Sequence, residues 1–93
     1  MIEYVFEETK NRFAAYHEGK EVGEITFTKD GDKVLIVDHT YVKEEYRGKS
    51  IANRLVKHIV DLAISQNKSI VPLCSFVRKE FGRIQEYQAI EYK

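Results

Sequence analysis

The chain has 93 residues, 43% of them hydrophobic and 32% charged, with Lys+Arg and Asp+Glu equal at 15 each. That length supports one core, burying on the order of 60% of the unfolded surface. The neutral balance sets up no global field toward a nucleic-acid duplex or an anionic membrane. One cysteine, Cys74, excludes an intramolecular disulfide.

The first residues, "MIEYVFEE", have no basic region followed by an apolar one, so they do not read as a secretory signal. No apolar run approaches the ~20 residues of a membrane helix. The expected location is intracellular, most simply the cytoplasm. "YVFEE" and "RFAAYHE" are short β-prone runs on either side of "ETKN" and predict an antiparallel hairpin. "EVGEITFT" alternates Val22, Ile25 and Phe27 imperfectly. Asp30-Gly31 then marks a tight turn before "KVLIVDHTYV", a fourth strand whose unbroken "VLIV" places it centrally in the sheet.

From Ser50 to Gln66 the period changes. Ile51, Leu55, Val56, Ile59, Leu62 and Ala63 recur at helical spacing, opposite Asn53, Arg54, Lys57, Asp61 and Ser65. After this amphipathic helix, "IVPLCSF" reads as a fifth strand parallel to the fourth, because a helix crosses between them. Pro72 cannot donate a ladder hydrogen bond, so this strand lies at an edge or diverges there. "VRKEFGRIQEYQ" reads as a terminal helix broken near Gly82. With no linker or repeat, residues 1–93 are expected to form one domain.

Charge is unevenly placed. Glu3, Glu7, Glu8, Glu18, Glu21 and Glu24 face only Lys10, Arg12 and Lys20 in the first 24 residues, whereas Arg47, Lys49, Arg54 and Lys57 have no acid among them. A local basic patch on a neutral protein suits a small polyanion, a solvated helix face being the alternative.

The patch overlaps "EEYRGKSIANRLVKHIV", Glu44 to Val60, where a strand, a glycine loop and a helix follow one another. A nucleotide-hydrolase P-loop has that order of parts, but its earlier glycine would fall at Lys43, which lacks the needed backbone freedom. The arrangement that fits turns at Arg47-Gly48 and starts a helix whose free N–H groups and positive dipole end can hold a pyrophosphate. Gly48 permits close approach, and Arg47 and Lys49 add charge. A plain strand-to-helix turn is the alternative on spacing alone.

The loop resembles the acetyl-CoA loop of the GNAT superfamily of N-acetyltransferases, [Q/R]-x-x-G-x-[G/A], with Glu45 at its first position and Ser50 at its last. With "VDHTYV" before it and "IVPLCSFV" after the helix, the region from Phe13 to Phe81 is similar to small, YjdJ-type GNAT-like members. The resemblance implies an α+β (α/β, three-layer-like) minimal core: a mostly antiparallel sheet with a splayed parallel pair, strands four and five, and a crossover helix. It implies acetyl-CoA as cosubstrate and an amine of a small molecule or protein as acceptor, with no metal. Backbone groups of Thr40, Tyr41 and Val42 would pair with the pantetheine arm. Arg47, Gly48, Lys49, Ser50, Ile51 and Ala52 would surround the phosphates. The Ser50 hydroxyl would donate to a phosphate or cap the helix.

Acetyl transfer needs a base for the amine, a donor for the oxyanion and stabilisation of the leaving thiolate. The resemblance gives catalytic roles to His39 and Cys74, expected to face each other where the strands diverge. His39 would take the amine proton. Cys74 would be acetylated, with a protonated His39 lowering its pKa, or would protonate the thiolate; a small packed thiol and a satisfied histidine are the structural alternatives. Asp38 is set aside as a third member because strand neighbours point to opposite faces. Tyr41, on the His39 face, would line the acetyl pocket. His17 and His58 are expected at the surface. The chain lacks the extra elements that form an acceptor groove in full-length GNAT enzymes, so a dimer or protein partner would complete it. A coenzyme A-binding module without turnover, and an interaction domain using the basic helix face, are the other functional readings.

Overall fold

The computed structural model describes every residue from Met1 to Lys93. Four antiparallel strands come first: β1 Ile2–Glu7, β2 Arg12–His17, β3 Lys20–Asp30 and β4 Val34–Val42. Helix α1, Ile51–Ser65, then crosses to β5, Ser69–Pro72, which pairs parallel to β4; the sheet order is β1-β2-β3-β4-β5. Helices α2, Ser75–Arg83, and α3, Gln85–Gln88, close the chain. This is the mixed sheet with a splayed parallel pair and a crossover helix expected for a GNAT-like core.

The core lies between the sheet and one helical layer. Ile51, Leu55, Val56, Ile59, Val60 and Ala63 of α1 pack in one cluster with Ile25, Phe27, Leu35, Val37 and Ile70 from the sheet. Each of the Val, Leu, Ile and Phe side chains contributes ~1.5–3 kcal/mol by leaving water. Helix α2 adds Val77 and Phe81 to the same cluster. It is tied to α1 where Asn53 Nδ2 donates to Glu80 Oε1 at 3.0 Å, and Glu80 is buried with Arg83 Nη2 3.1 Å away. The opposite sheet face carries polar side chains of β1 to β4 rather than a helix.

Two register shifts decide which residues reach which face. Ala15 pairs with Gly23 but Tyr16 pairs with Glu21, so Val22 is an extra residue on β3, turned into the core. This is the source of the imperfect alternation in that strand. Further on, Thr26 pairs with His39 but Phe27 pairs with Val37, leaving Asp38 as the extra residue on β4. Val37 and Val42 are therefore both buried despite their odd separation.

Strand β5 is shorter than the expected "IVPLCSF". It ends at Pro72, and the amides of Leu73 and Cys74 both turn to the carbonyl of Val37, at 3.1 and 3.0 Å. Proline contributes no N–H to continue the ladder, and the chain leaves the sheet there. Cys74 is thus the N-cap residue of α2 rather than a strand residue. The terminal helix breaks at Ile84, two residues after Gly82. The two histidines expected at the surface are partly buried: His17 Nδ1 lies 2.8 Å from the Tyr46 hydroxyl, and His58 stacks on Tyr4 with ring centroids 4.7 Å apart.

Candidate active site

Strands β4 and β5 pair only from Val34 to Val37 against Ser69 to Pro72. Beyond that point β4 keeps β3 on one side and has no neighbour on the other. The peptide groups of Thr40 and Val42 point to this free edge. The Val42 carbonyl accepts from Arg47 Nε at 3.0 Å, and the Thr40 amide faces the sulfur of Cys74.

The loop from Arg47 to Ser50 then sets up a second row of donors. Gly48 has φ +82 and Ser50 φ +64, both left-handed, with Lys49 between them. Such alternation curls successive amides toward one side. None of the amides from Gly48 to Asn53 has a backbone acceptor in the fold; the first to find one is Arg54, to the Ser50 carbonyl at 3.1 Å. The Ser50 hydroxyl makes no cap to its own helix and remains available. These donors, with the positive end of α1, open onto a cavity of about 260 Å³ bordered by Val42, Tyr46, Arg47 and Phe76. An adjoining hollow of about 290 Å³ continues along β4 past Thr40 and Tyr41.

The structure brings most of the expected coenzyme residues to this cleft, with different contributions. Gly48, Ser50, Ile51 and Ala52 border it, but the Ile51 side chain is buried in the core, so Ile51 offers only its amide. Arg47 spends its Nε on Val42 and so ties the loop to the strand. Lys49 points elsewhere, to a separate hollow with Tyr4 and Arg54. Tyr46, Asn53 and Phe76 complete the lining and were not anticipated. Tyr46 and Asn53 fall inside the loop-helix segment, so their spacing was readable. Phe76 arrives only because α2 starts at Ser75.

His39 and Cys74 are not brought together. The bulge at Asp38 directs Thr40 and Val42 to the helical face, and His39 and Tyr41 to the open face. His39 Nε2 lies 3.5 Å from Glu24 Oε2 on that face, with the His39 side chain 55% exposed. Cys74 sits on the other side, its thiol donating to Thr40 Oγ1 at 3.6 Å. The expected imidazolium beside the thiol is therefore corrected. Burial pushes the Cys74 thiol up, but the amides of Val77 and Phe76 and the hydroxyl and amide of Thr40 outweigh it, leaving its pKa below the ordinary value. The rule used to set Asp38 aside also fails locally, because the bulge puts Asp38 on the His39 face. Its two carboxylate oxygens accept instead from the hydroxyls of Thr26 and Thr28, at 2.7 and 2.9 Å, so it does not orient the imidazole.

The free edge of a splayed strand beside an amide-rich helix start has a counterpart among known families. The GCN5-related N-acetyl-transferase family matches residues 12–90. The chain belongs to that family. Its members' name describes the chemistry, and this chain is an N-acetyltransferase domain. A GCN5-like N-acetyltransferase candidate from Staphylococcus aureus, solved in solution, superposes with TM-score 0.76 at 27% identity, over 97% of this chain and 87% of that one. Ribosomal-protein-alanine N-acetyltransferase from Brucella melitensis biovar Abortus 2308 gives 0.65 at 29% identity, over 78% and 59%. An aminoglycoside 6'-N-acetyltransferase solved with coenzyme A shares the fold, with TM-score 0.58 at 23% identity over 63% and 34%. No curated protein matches the chain by sequence. No helix of this GCN5-related domain is long and apolar enough to cross a membrane.

Proposed function

We propose that the protein binds acetyl-CoA across the amides of Gly48 to Asn53 and along the free edge of β4, and transfers the acetyl group to an amine. The observation that carries this is a single cleft that joins the unpaired amides at the start of α1 to the edge of β4 that no strand covers. The coenzyme fits because these donors need an acceptor and the cavity walls, Val42 and Phe76, are apolar where the arm would run. Bound there, the thioester supplies the acetyl group.

The Thr40 amide faces the Cys74 sulfur, which leaves the Val42 amide, its direction set by β4, as the preorganised edge donor for the oxyanion. His39, reachable from solvent, takes the amine proton as the nitrogen–carbon bond forms. Cys74, with its thiol pKa lowered, gives its proton to the departing coenzyme thiolate as the carbon–sulfur bond breaks. Approach of the acceptor from the open face suits a cationic amine, since Glu7, Glu21 and Glu24 outnumber Arg12 there. A second copy or a protein partner would complete the acceptor groove.

Calorimetric titration with acetyl-CoA, followed by thiol release with a panel of amines, tests the reading. Saturable binding without thiol release on any amine would favour a binding module. Intact mass after mixing with acetyl-CoA alone separates the roles of Cys74. An unchanged mass is expected; one added acetyl group on Cys74 would make it a nucleophile instead.

A further inference from the structure

On the open face, side chains from β1 to β4 form one run of contacts that passes through Arg12 and ends on Glu24 and His39. Glu24 Oε1 accepts from Arg12 Nη1 at 2.8 Å, and its Oε2 faces His39 Nε2 at 3.5 Å. Arg12 is only 9% exposed and is gripped from two other strands' positions, by Glu7 at 2.7 Å and by Glu21 at 2.9 Å. Tyr16 in turn donates its hydroxyl to Glu7. A guanidinium held by three carboxylates has lost its rotamer freedom, and it fixes one oxygen of Glu24 while leaving the other aimed at the imidazole.

We propose that Glu24 is the positioning residue of His39 in acetyl transfer, with Arg12 as the clamp that orients Glu24. The inference rests on the reading of His39 as the amine base. From 3.5 Å, the Glu24 oxygen favours the neutral imidazole tautomer that carries its proton on Nε2, which leaves Nδ1 as the bare nitrogen. When the amine proton moves to Nδ1, the imidazolium forms beside the Glu24 carboxylate, and the proton later leaves to water through the exposed side of the ring. The other titratable groups on this face are otherwise engaged or differently placed. Asp38 accepts from Thr26 and Thr28, Glu7 and Glu21 are bound to Arg12, and Tyr41 is the cross-strand partner of Glu24 on β4. The Asp38 bulge is what makes the arrangement possible, since without it His39 would point into the core.

Two readouts test the pair. Imidazole nitrogen NMR of the free protein above neutral pH is expected to show His39 protonated on Nε2, and Glu24→Ala to show exchange between both nitrogens. In turnover, Glu24→Gln, which keeps the shape and removes the charge, is expected to lower kcat ~10-fold, a fraction of the general-base effect, with the KM for acetyl-CoA unchanged. In a His39→Ala background the same change should have no further effect, because the two act as one unit. An unchanged His39 tautomer in both folded variants, or an equal kcat loss with and without His39, would overturn the proposal. Absence of acetyl transfer by the parent protein would overturn the functional reading alone, since the NMR experiment on the resting protein decides the pairing independently.

Discussion

Replacing Gly48 with alanine would separate backbone strain from obstruction at the coenzyme loop. Gly48 has φ +82, and a Cβ built there meets nothing within 4 Å, so the fold itself has room for the methyl group. What remains is the left-handed conformation, which costs an L-residue about 1–2 kcal/mol. Had the surroundings held the loop rigidly, that energy would appear as lost stability. Gly48 is exposed and its Cβ space is empty, so the loop is free to relax toward negative φ. Relaxation spoils the convergence of the Gly48 to Asn53 amides, and the loss then appears in binding. At ~1.4 kcal/mol per factor of ten, the dissociation constant for acetyl-CoA should rise ~5- to 30-fold while the urea midpoint changes little. Gly48→Val puts a β-branched side chain at the same left-handed position and should weaken binding further. Isothermal titration with acetyl-CoA, paired with urea unfolding, measures both quantities. Full acetyl-CoA affinity in both folded variants would refute the assignment of the phosphates to this loop.

Gly23 should behave in the opposite way, because a Cβ there would lie 2.9 Å from the Tyr41 carbonyl and 3.3 Å from Val42 Cγ2. Gly23→Ala is expected to lower stability by about 1–3 kcal/mol, as overpacking does, and to weaken acetyl-CoA binding by shifting the free end of β4; a urea midpoint equal to the parent's would count against this packing. The pH midpoint for alkylation of Cys74 by iodoacetamide should lie below that of the urea-unfolded chain, and Thr40→Val should move it upward. Coincident midpoints in folded and unfolded protein would contradict the thiolate-stabilising environment. Burial, foremost, lowers the pKa of His58, with Lys57 and Arg54 acting in the same sense and Asp61 against. The unfolded chain therefore binds the extra proton first, and the stability present above the unfolded value near ~6.5 is lost as pH falls from there through the lower folded value. His58→Phe, which keeps the stack on Tyr4, should flatten the acid side of a thermal-melt pH series; an unchanged slope would assign the loss to other groups.

Local pattern carried much of this protein. The loop from Arg47 to Ser50, the amphipathic α1 and the apolar β4 are encoded by neighbouring residues, so the strand-loop-helix unit is readable from spacing, whereas the anion-binding reading of its loop came from the family resemblance. The parallel β4/β5 pair follows from the intervening helix, and its divergence from Pro72. What tertiary structure decided is which face each side chain of β4 meets. Alternation along a strand is a parity, and one extra residue reverses it. Asp38 is that residue because Phe27 must oppose Val37 in the core while Thr26 opposes His39 outside it, a cross-strand requirement absent from the local sequence. The same packing turns Cys74 from a strand residue into the cap of α2, where helix amides and Thr40 rather than a histidine lower its pKa. It also brings Glu24, distant in sequence, to His39, and Arg12 to Glu24, through the registers of β2, β3 and β4.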